Sequence, residues 1–211
     1  MIRYRMKIIE IKAKEIFTKT KLGADWVINP YVGCSHNCLY CYAKFIARWR
    51  PLEYGKWGDW VEAKINGPEL VKDRKIKGEV FMSSICDAYQ PVEKDLKLTR
   101  KILENLDKNV KLSILTKSDL VLRDVDIFKH FKNIEVGLTI NSFTDKAKKL
   151  FEPNAIDSQL RINALKKLKE QGIKTYAFIS PIIPGLINLQ DIVNKTKSFV
   201  DYYWFEFLNL R

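Results

Sequence analysis

At 211 residues and 46% hydrophobic, the chain is long enough to bury a sizeable core, which excludes disorder as the default and suits one domain or a small domain with an appendage. No apolar run approaches the roughly eighteen residues of a membrane helix, and Met1 to Ile16 interleaves Lys, Arg and Glu with its apolar residues, so the sequence reads as soluble, cytoplasmic and without a membrane partner. A formal net charge of +12 makes nucleic acid a candidate partner, although charges spread along the chain fit a lysine-rich solvated surface equally well.

Strand then helix is the unit that recurs along most of the chain. Trp26 to Val32 is the first apolar run, and a short helix over Tyr42 to Trp49 follows. Glu79 to Ser84 reads as the second strand, and Leu96 to Leu106 as a helix with Leu96, Ile102, Leu103 and Leu106 apolar. Val110 to Leu115 is the third strand, after which Ser118 is placed to cap a helix over Asp119 to Phe131. Ile134 to Ile140 is the fourth. Ser158 to Gln171 is the clearest helix, with Leu160, Ala164, Leu165 and Leu168 on one face and Gly172 as its stop signal. Lys174 to Ile179 is the fifth strand; Pro181, Pro184 and Gly185 break the chain before a helix over Leu189 to Val200 and a sixth strand, Tyr202 to Leu208.

Six such units imply right-handed crossovers and an α/β fold whose parallel sheet is open or partly closed into a barrel. Residues 1–211 read as one core domain with an N-terminal extension over 1–20, in which 6–20 forms an additional strand and its connection. Residues 50–78, carrying Trp57, Trp60 and several glycines, read as an insertion. Arg211 follows directly on the sixth strand. Strands buried on both faces need a covering helix, so the expectation is a barrel truncated after strand six in a fragment of a longer chain, rather than a minimal barrel.

Three of the four cysteines, Cys34, Cys38 and Cys41, fall within eight residues on the loop after the first strand. Disulfides explain such crowding poorly, and metal binding in a reducing compartment explains it better. A four-iron cubane takes thiolate ligands, and three of them leave one iron open for chemistry. A zinc site completed by His36 or Cys86 is the competing arrangement, but zinc sites usually take a second ligand pair downstream, and none is present.

Cys-x3-Cys-x2-Cys with Tyr40 just before the last cysteine resembles the signature of the radical S-adenosylmethionine (SAM) superfamily. Asn29-Pro30-Tyr31-Val32-Gly33-Cys34, Lys64-Ile65-Asn66, Asp87-Ala88-Tyr89-Gln90-Pro91, Leu98-Thr99-Arg100, Thr116-Lys117-Ser118 and Glu152-Pro153 narrow the resemblance to the branch related to spore photoproduct lyase. The resemblance implies a partial (β/α)6 barrel, a [4Fe-4S] cluster on Cys34, Cys38 and Cys41, and SAM chelated at the open iron. It also implies reductive cleavage of SAM to a 5′-deoxyadenosyl radical that abstracts hydrogen from a substrate, with an electron donor such as a ferredoxin or flavodoxin. Lyase-like DNA repair is its sharper form, and radical modification of RNA or protein another. From a different class comes a basic nucleic-acid-binding protein with a structural metal at the three cysteines.

By the same resemblance, Ser84 and Lys117 bind the amino-acid moiety of SAM, Lys117 pairing with its carboxylate, and the backbone of Tyr40 meets the adenine. Thr139 and Asn141 alternate on the fourth strand and so share a face; they are the next candidate cofactor contacts. Cys86 stands within a residue or two of the cysteine that donates hydrogen in the lyase, though a small buried thiol is the favoured reading of it. Asp87, Tyr89 and Gln90 follow at the same mouth as candidate substrate contacts. Glu152 and Arg161 either reach the mouth or pair with each other. His36 reads as a loop residue rather than a ligand. Tyr54, Trp57 and Trp60, with Lys56 and Lys64, fit base stacking and a small aromatic core equally.

Overall fold

The computed structural model describes residues 6–208. Along the chain run β1 (Lys7–Ile11), β2 (Phe17–Lys19), β3 (Trp26–Ile28), β4 (Tyr31–Val32), a 3₁₀ helix (Tyr42–Trp49), β5 (Trp60–Lys64) and α1 (Gly67–Val71). β6 (Glu79–Met82), α2 (Glu93–Leu96), α3 (Leu98–Asn105), β7 (Lys111–Thr116), α4 (Val125–Phe128) and β8 (Asn133–Ile140) follow. α5 (Asp145–Phe151), α6 (Ser158–Glu170), β9 (Lys174–Ile182), α7 (Leu189–Thr196) and β10 (Tyr202–Phe207) complete the series.

The main sheet has the order β10-β9-β8-β7-β6-β3-β2. Its six expected strands are all parallel, and only β2 runs antiparallel, against β3. The ladder does not close between β2 and β10, so the fold is a mixed α/β partial barrel. Side chains alternate along each strand. Val80, Met82, Leu112, Ile114, Val136, Leu138, Ala177 and Ile179 join Ile102, Leu103, Leu165, Leu168 and Ile192 of the covering helices in the core. The intervening residues, among them Ser113, Glu135, Tyr176 and Phe178, line the concave side. No helix among the described residues is long and apolar enough to cross a membrane.

Several elements differ from expectation for local reasons. The first strand breaks after Ile28: β3 stays in the main sheet, whereas β4 pairs with β5 in a small second sheet of order β1-β5-β4. Pro30, between them, has no N–H to give to a ladder. The N-terminal segment and the inserted segment belong to this same small sheet, in parallel register from Lys7 opposite Trp60 to Ile11 opposite Lys64. Behind the cysteine loop, Trp57 and Trp60 are 6% and 0% exposed and pack with Val32, Cys34, Ala43 and Ile46. Their burial excludes base stacking and makes them the aromatic core of the insertion, with Tyr54 tilted on Trp60.

The helix expected over Leu96 to Leu106 divides at Lys97, whose φ is +50°. The buried Glu93 carboxylate accepts the Thr99 and Arg100 N–H groups (2.9 and 3.3 Å) and so caps α3 from the preceding helix. Ser118 does cap, accepting from the Leu120 N–H at 3.3 Å. The chain beyond it is a 3₁₀ helix over Asp119–Asp124 followed by α4, where Asp124 turns inward to Arg100 and Arg123. The Tyr42–Trp49 helix is likewise 3₁₀, whereas α6 forms nearly as expected. β10 leaves Trp204, Phe205 and Phe207 at least half exposed.

On the concave face, Gly137 lies under the ring of Tyr176. A Cβ at this position would stand 2.1 Å from the ring. That ring is held by its hydroxyl, which donates to the Ile114 carbonyl at 3.1 Å, and by stacking on Tyr202 with centroids 5.1 Å apart. Gly137→Ala is therefore expected to lower stability by about 1–3 kcal/mol through overpacking, with a lower midpoint and unchanged slope in urea unfolding followed by circular dichroism.

Candidate functional site

The carboxyl ends of the parallel strands, where βα folds gather their chemistry, surround a cavity of about 1240 Å3. That exceeds the usual small-ligand range of roughly 300–1,000 Å3 and leaves room for a cofactor and a substrate together. The loop after β4 forms one wall. It starts at Gly33, whose φ is +87° and where a Cβ would stand 2.7 Å from the Trp60 carbonyl oxygen, so glycine is required immediately before Cys34. Successive turns, closed by Asn37 N–H to Cys34 O (3.3 Å) and Cys41 N–H to Cys38 O (3.2 Å), bring Cys34, Cys38 and Cys41 to the same cavity as free thiols.

Tyr40, Ser84, Cys86, Lys117 and Thr139 also line this cavity. Asn141 does not; although it shares a face with Thr139, it lies beneath the wall, donating to Glu152 at 3.0 Å and accepting from Ser158 at 2.9 Å. Tyr89 and Gln90, expected at the mouth, are fully buried and outside the lining, whereas Asp87 reaches it. His36 is held between the Asn154 carbonyl (3.3 Å) and Asp87 (3.2 Å). Composition does not single out Asn29, but its Oδ1 accepts the Ser84 and Ile85 N–H groups (2.9 and 3.1 Å) and the Cys86 thiol (3.7 Å).

Glu152 and Arg161 pair with each other, fully buried below the floor. Arg161 also donates to the Thr139 carbonyl at 3.1 Å and the Ile156 carbonyl at 2.9 Å. Glu152 in turn accepts from the Tyr40 hydroxyl, which fixes that ring beside the cavity. Lys117 Nζ lies 5.7 Å from the centre of the Tyr40 ring and 3.4 Å from Thr139 Oγ1. Burial alone would lower its ammonium, but the negative charge of Cys38, once its thiol ionises, and of Glu152 raises it above the ordinary lysine value.

Burial pushes the Cys38 thiol up to about 11 and the Cys86 thiol up to about 12. For Asp87, burial acts upward, but His36, Thr116 and the Lys117 N–H together hold it well below the carboxylate range.

The donor set suits an iron-sulfur cluster and a zwitterionic ligand. Three thiols, the ligand type such a cluster takes, open on one cavity; among the described residues no three His, Cys, Asp or Glu side chains are gathered closely enough to hold a metal ion. A charged lysine faces that space with no carboxylate at ion-pair distance among the described residues. The buried Ser83 hydroxyl, also in the wall, has no hydrogen-bond partner there either.

The chain matches the family model of the Radical SAM superfamily over residues 28–194. An uncharacterised protein of Methanocaldococcus jannaschii is 57% identical over 208 residues, covering 98% of this chain and 80% of that protein. A radical SAM Nα-GlyT isomerase of Pseudomonas phage M6 is 24% identical over 170 residues, covering 78% of this chain and 34% of the isomerase. Among solved structures, spore photoproduct lyase complexed with dinucleoside spore photoproduct superposes with a TM-score of 0.68 at 17% identity. The alignment covers 91% of this chain and 58% of the lyase, and is a likeness of fold.

The Glu152–Arg161 pair has a pH signature. Burial pushes the Glu152 carboxyl up, but Arg161 and Lys117, aided by hydrogen bonds from Arg161 and Tyr40, bring it down to about 2, from about 4.3 in an unfolded chain. Its stabilising contribution is present above the unfolded value and is lost as pH falls towards the folded one. Glu152→Gln should therefore be less stable at neutral pH, with the deficit shrinking between about pH 4.5 and 2. Urea unfolding across that range measures it.

Proposed function

Because the chain belongs to the radical SAM superfamily, we propose that Cys34, Cys38 and Cys41 hold a [4Fe-4S] cluster and that Lys117 and Ser84 seat SAM beside it. The observation that carries this is the meeting of three free thiols and one charged, uncommitted lysine in a single cavity at the strand ends. When bound, these groups supply a one-electron cleavage of SAM whose carbon radical takes hydrogen from a substrate. The protein's part is to hold them and to exclude water. Lys117 pairs with the SAM carboxylate, Thr139 steadies the ammonium, and the backbone of Tyr40 meets the adenine. An electron donor such as a ferredoxin or flavodoxin supplies the electron from outside.

Cys86 lies in the same wall, with its thiol donating to Asn29 and held protonated by burial. A protonated thiol facing the cavity suits a hydrogen donor, and we assign Cys86 that role.

The substrate reading that we favour is nucleic acid. The chain carries a net charge of +12, and Lys44 and Arg48 stand with Phe45 on the cavity rim, next to an exposed Trp49. Aromatic rings interleaved with cations suit bases and phosphates. The structurally similar lyase is complexed with a dinucleoside. This chain spans about 58% of that lyase.

Anaerobic reconstitution with iron and sulfide, followed by dithionite and SAM, should give the absorption of a [4Fe-4S] cluster and release 5′-deoxyadenosine. Cys38→Ala should abolish both, and Lys117→Met should keep the cluster but need at least about tenfold more SAM for half-maximal rate. Retention of zinc with neither cluster nor product would replace this proposal with a structural-metal protein. Retention on single-stranded DNA should fall steeply with salt; no retention at low salt would remove nucleic acid as the substrate.

A further inference from the structure

We infer that Asp87 and Gln90 are positioning residues, which hold the cysteine loop and the Lys117 strand end in fixed register so that the cluster site and the SAM carboxylate subsite form one unit. The inference rests on the assignment of the cysteines and Lys117 given above.

Both side chains come from one short turn between β6 and α2. Gln90 N–H donates to the Asp87 carbonyl at 3.3 Å and Glu93 N–H to the Gln90 carbonyl at 2.9 Å. Bonds of this i to i+3 kind stack side chains three residues apart on one side.

Gln90 is 0% exposed, and every polar bond its carboxamide makes goes to a residue flanking Cys34. Its Oε1 accepts the Ser35 N–H at 2.8 Å and the Ser35 hydroxyl at 3.1 Å, while its Nε2 donates to the Gly33 carbonyl at 3.2 Å. The backbone on either side of the candidate ligand is thus fixed by one side chain.

Asp87 does the same between two segments. One oxygen accepts the Thr116 hydroxyl (2.6 Å) and the Tyr89 N–H (2.8 Å). The other accepts the Lys117 N–H (2.7 Å) and faces His36 Nε2 of the cysteine loop (3.2 Å). His36 is pinned from behind by the Asn154 carbonyl. One buried carboxylate therefore spans from the loop that presents the thiols to the residue that presents the ammonium. A carboxylate bonded on both oxygens resists displacement, because each lost partner leaves a buried polar group unsatisfied. Every oxygen and nitrogen of the two side chains is thus bonded or in contact within the protein, one N–H of the Gln90 amide being in excess.

The test uses Asp87→Asn, Gln90→Asn and the milder Thr116→Val, which removes one hydroxyl donor to Asp87 and the acceptor of the Ser118 N–H, so that exchange over 33–38 is its telling readout. Leu168→Ala, a core truncation in α6, is the control for general destabilisation. In the metal-free full chain, hydrogen exchange should quicken together over 33–38 and 116–118 in the three variants, but not in the control. After reconstitution, the variants should bind wild-type amounts of iron but bind SAM about tenfold more weakly, with a smaller SAM-induced change in the electron paramagnetic resonance spectrum of the reduced cluster.

Wild-type SAM affinity and exchange in the folded variants, or changes no larger than in Leu168→Ala, would overturn the inference. Quickening of one segment without the other would also overturn it. Should the wild-type chain take up neither cluster nor SAM, the proposed function fails, while exchange in the metal-free chain still decides whether the two segments are coupled.

Discussion

Asn29 and Pro30 impose the bend on which the site depends. β3 belongs to the main sheet and β4 to the small one, and the chain changes sheets at these two residues. Pro30 withholds a ladder donor, and the Asn29 amide bonds the backbone of Ser84 and Ile85 beyond the adjacent strand. The change of sheet carries the next residues across the strand ends, where a continuous strand would have run past them. Gly33 then turns against Trp60 with no room for a side chain, and Cys34 follows. The thiols reach the cavity because the backbone before them cannot continue in the sheet.

Beneath the mouth, charge is handled by mutual satisfaction. A buried ion costs several kcal/mol unless paired and hydrogen-bonded. Glu152 meets this condition through Arg161, Asn141 and Tyr40, and Asp87 through the Thr116 hydroxyl and the Tyr89 and Lys117 N–H groups, with His36 Nε2 3.2 Å away. Lys117 Nζ is the exception, steadied by nearby negative charge but bonded only to a threonine hydroxyl among the described residues. An ammonium left in that state has its strongest interactions still to make. Of these three buried charges it is the one with its main interaction still to make, and so the one that fits an incoming carboxylate.

What could be read from the sequence follows from the range of the interactions involved. The six parallel strands show as apolar runs because their alternation is written within each segment, and the cysteine loop shows because its ligands are close in sequence. The small sheet does not show: Lys7 pairs with Trp60, and nothing near either residue announces the other, so extension and insertion look like separate additions. The αL break at Lys97 is hidden for a similar reason, since the cap that replaces a continuous helix is the carboxylate of Glu93. Alternation placed Thr139 and Asn141 on one face, yet only Thr139 reaches the cavity, because α5 and Ser158 at the start of α6 bring partners over Asn141. Asp87 and Gln90 were legible as part of a motif, but their contacts with the cysteine loop lie more than fifty residues away in sequence, at Ser35 and His36.

The distribution of charge separates attraction from recognition. A net charge of +12 acts at long range and is screened by salt, and much of it sits on outer helices such as α5 and α6, with Lys146, Lys148, Lys149, Lys166, Lys167 and Lys169. Such a field gathers any polyanion and distinguishes none. Within the cavity, the carboxylates that line it are Asp87, engaged as described, and Glu206, bonded by the Ser180 hydroxyl at 3.0 Å. On the proposed function, selection among substrates falls to shape and to short-range groups such as Phe178 and Ser180 of β9, Glu206 of β10, and Tyr42 next to Cys41. If the proposed function holds, changes on β9 and β10 would alter which substrate bond faces the radical while leaving Lys117 and the cysteine loop untouched.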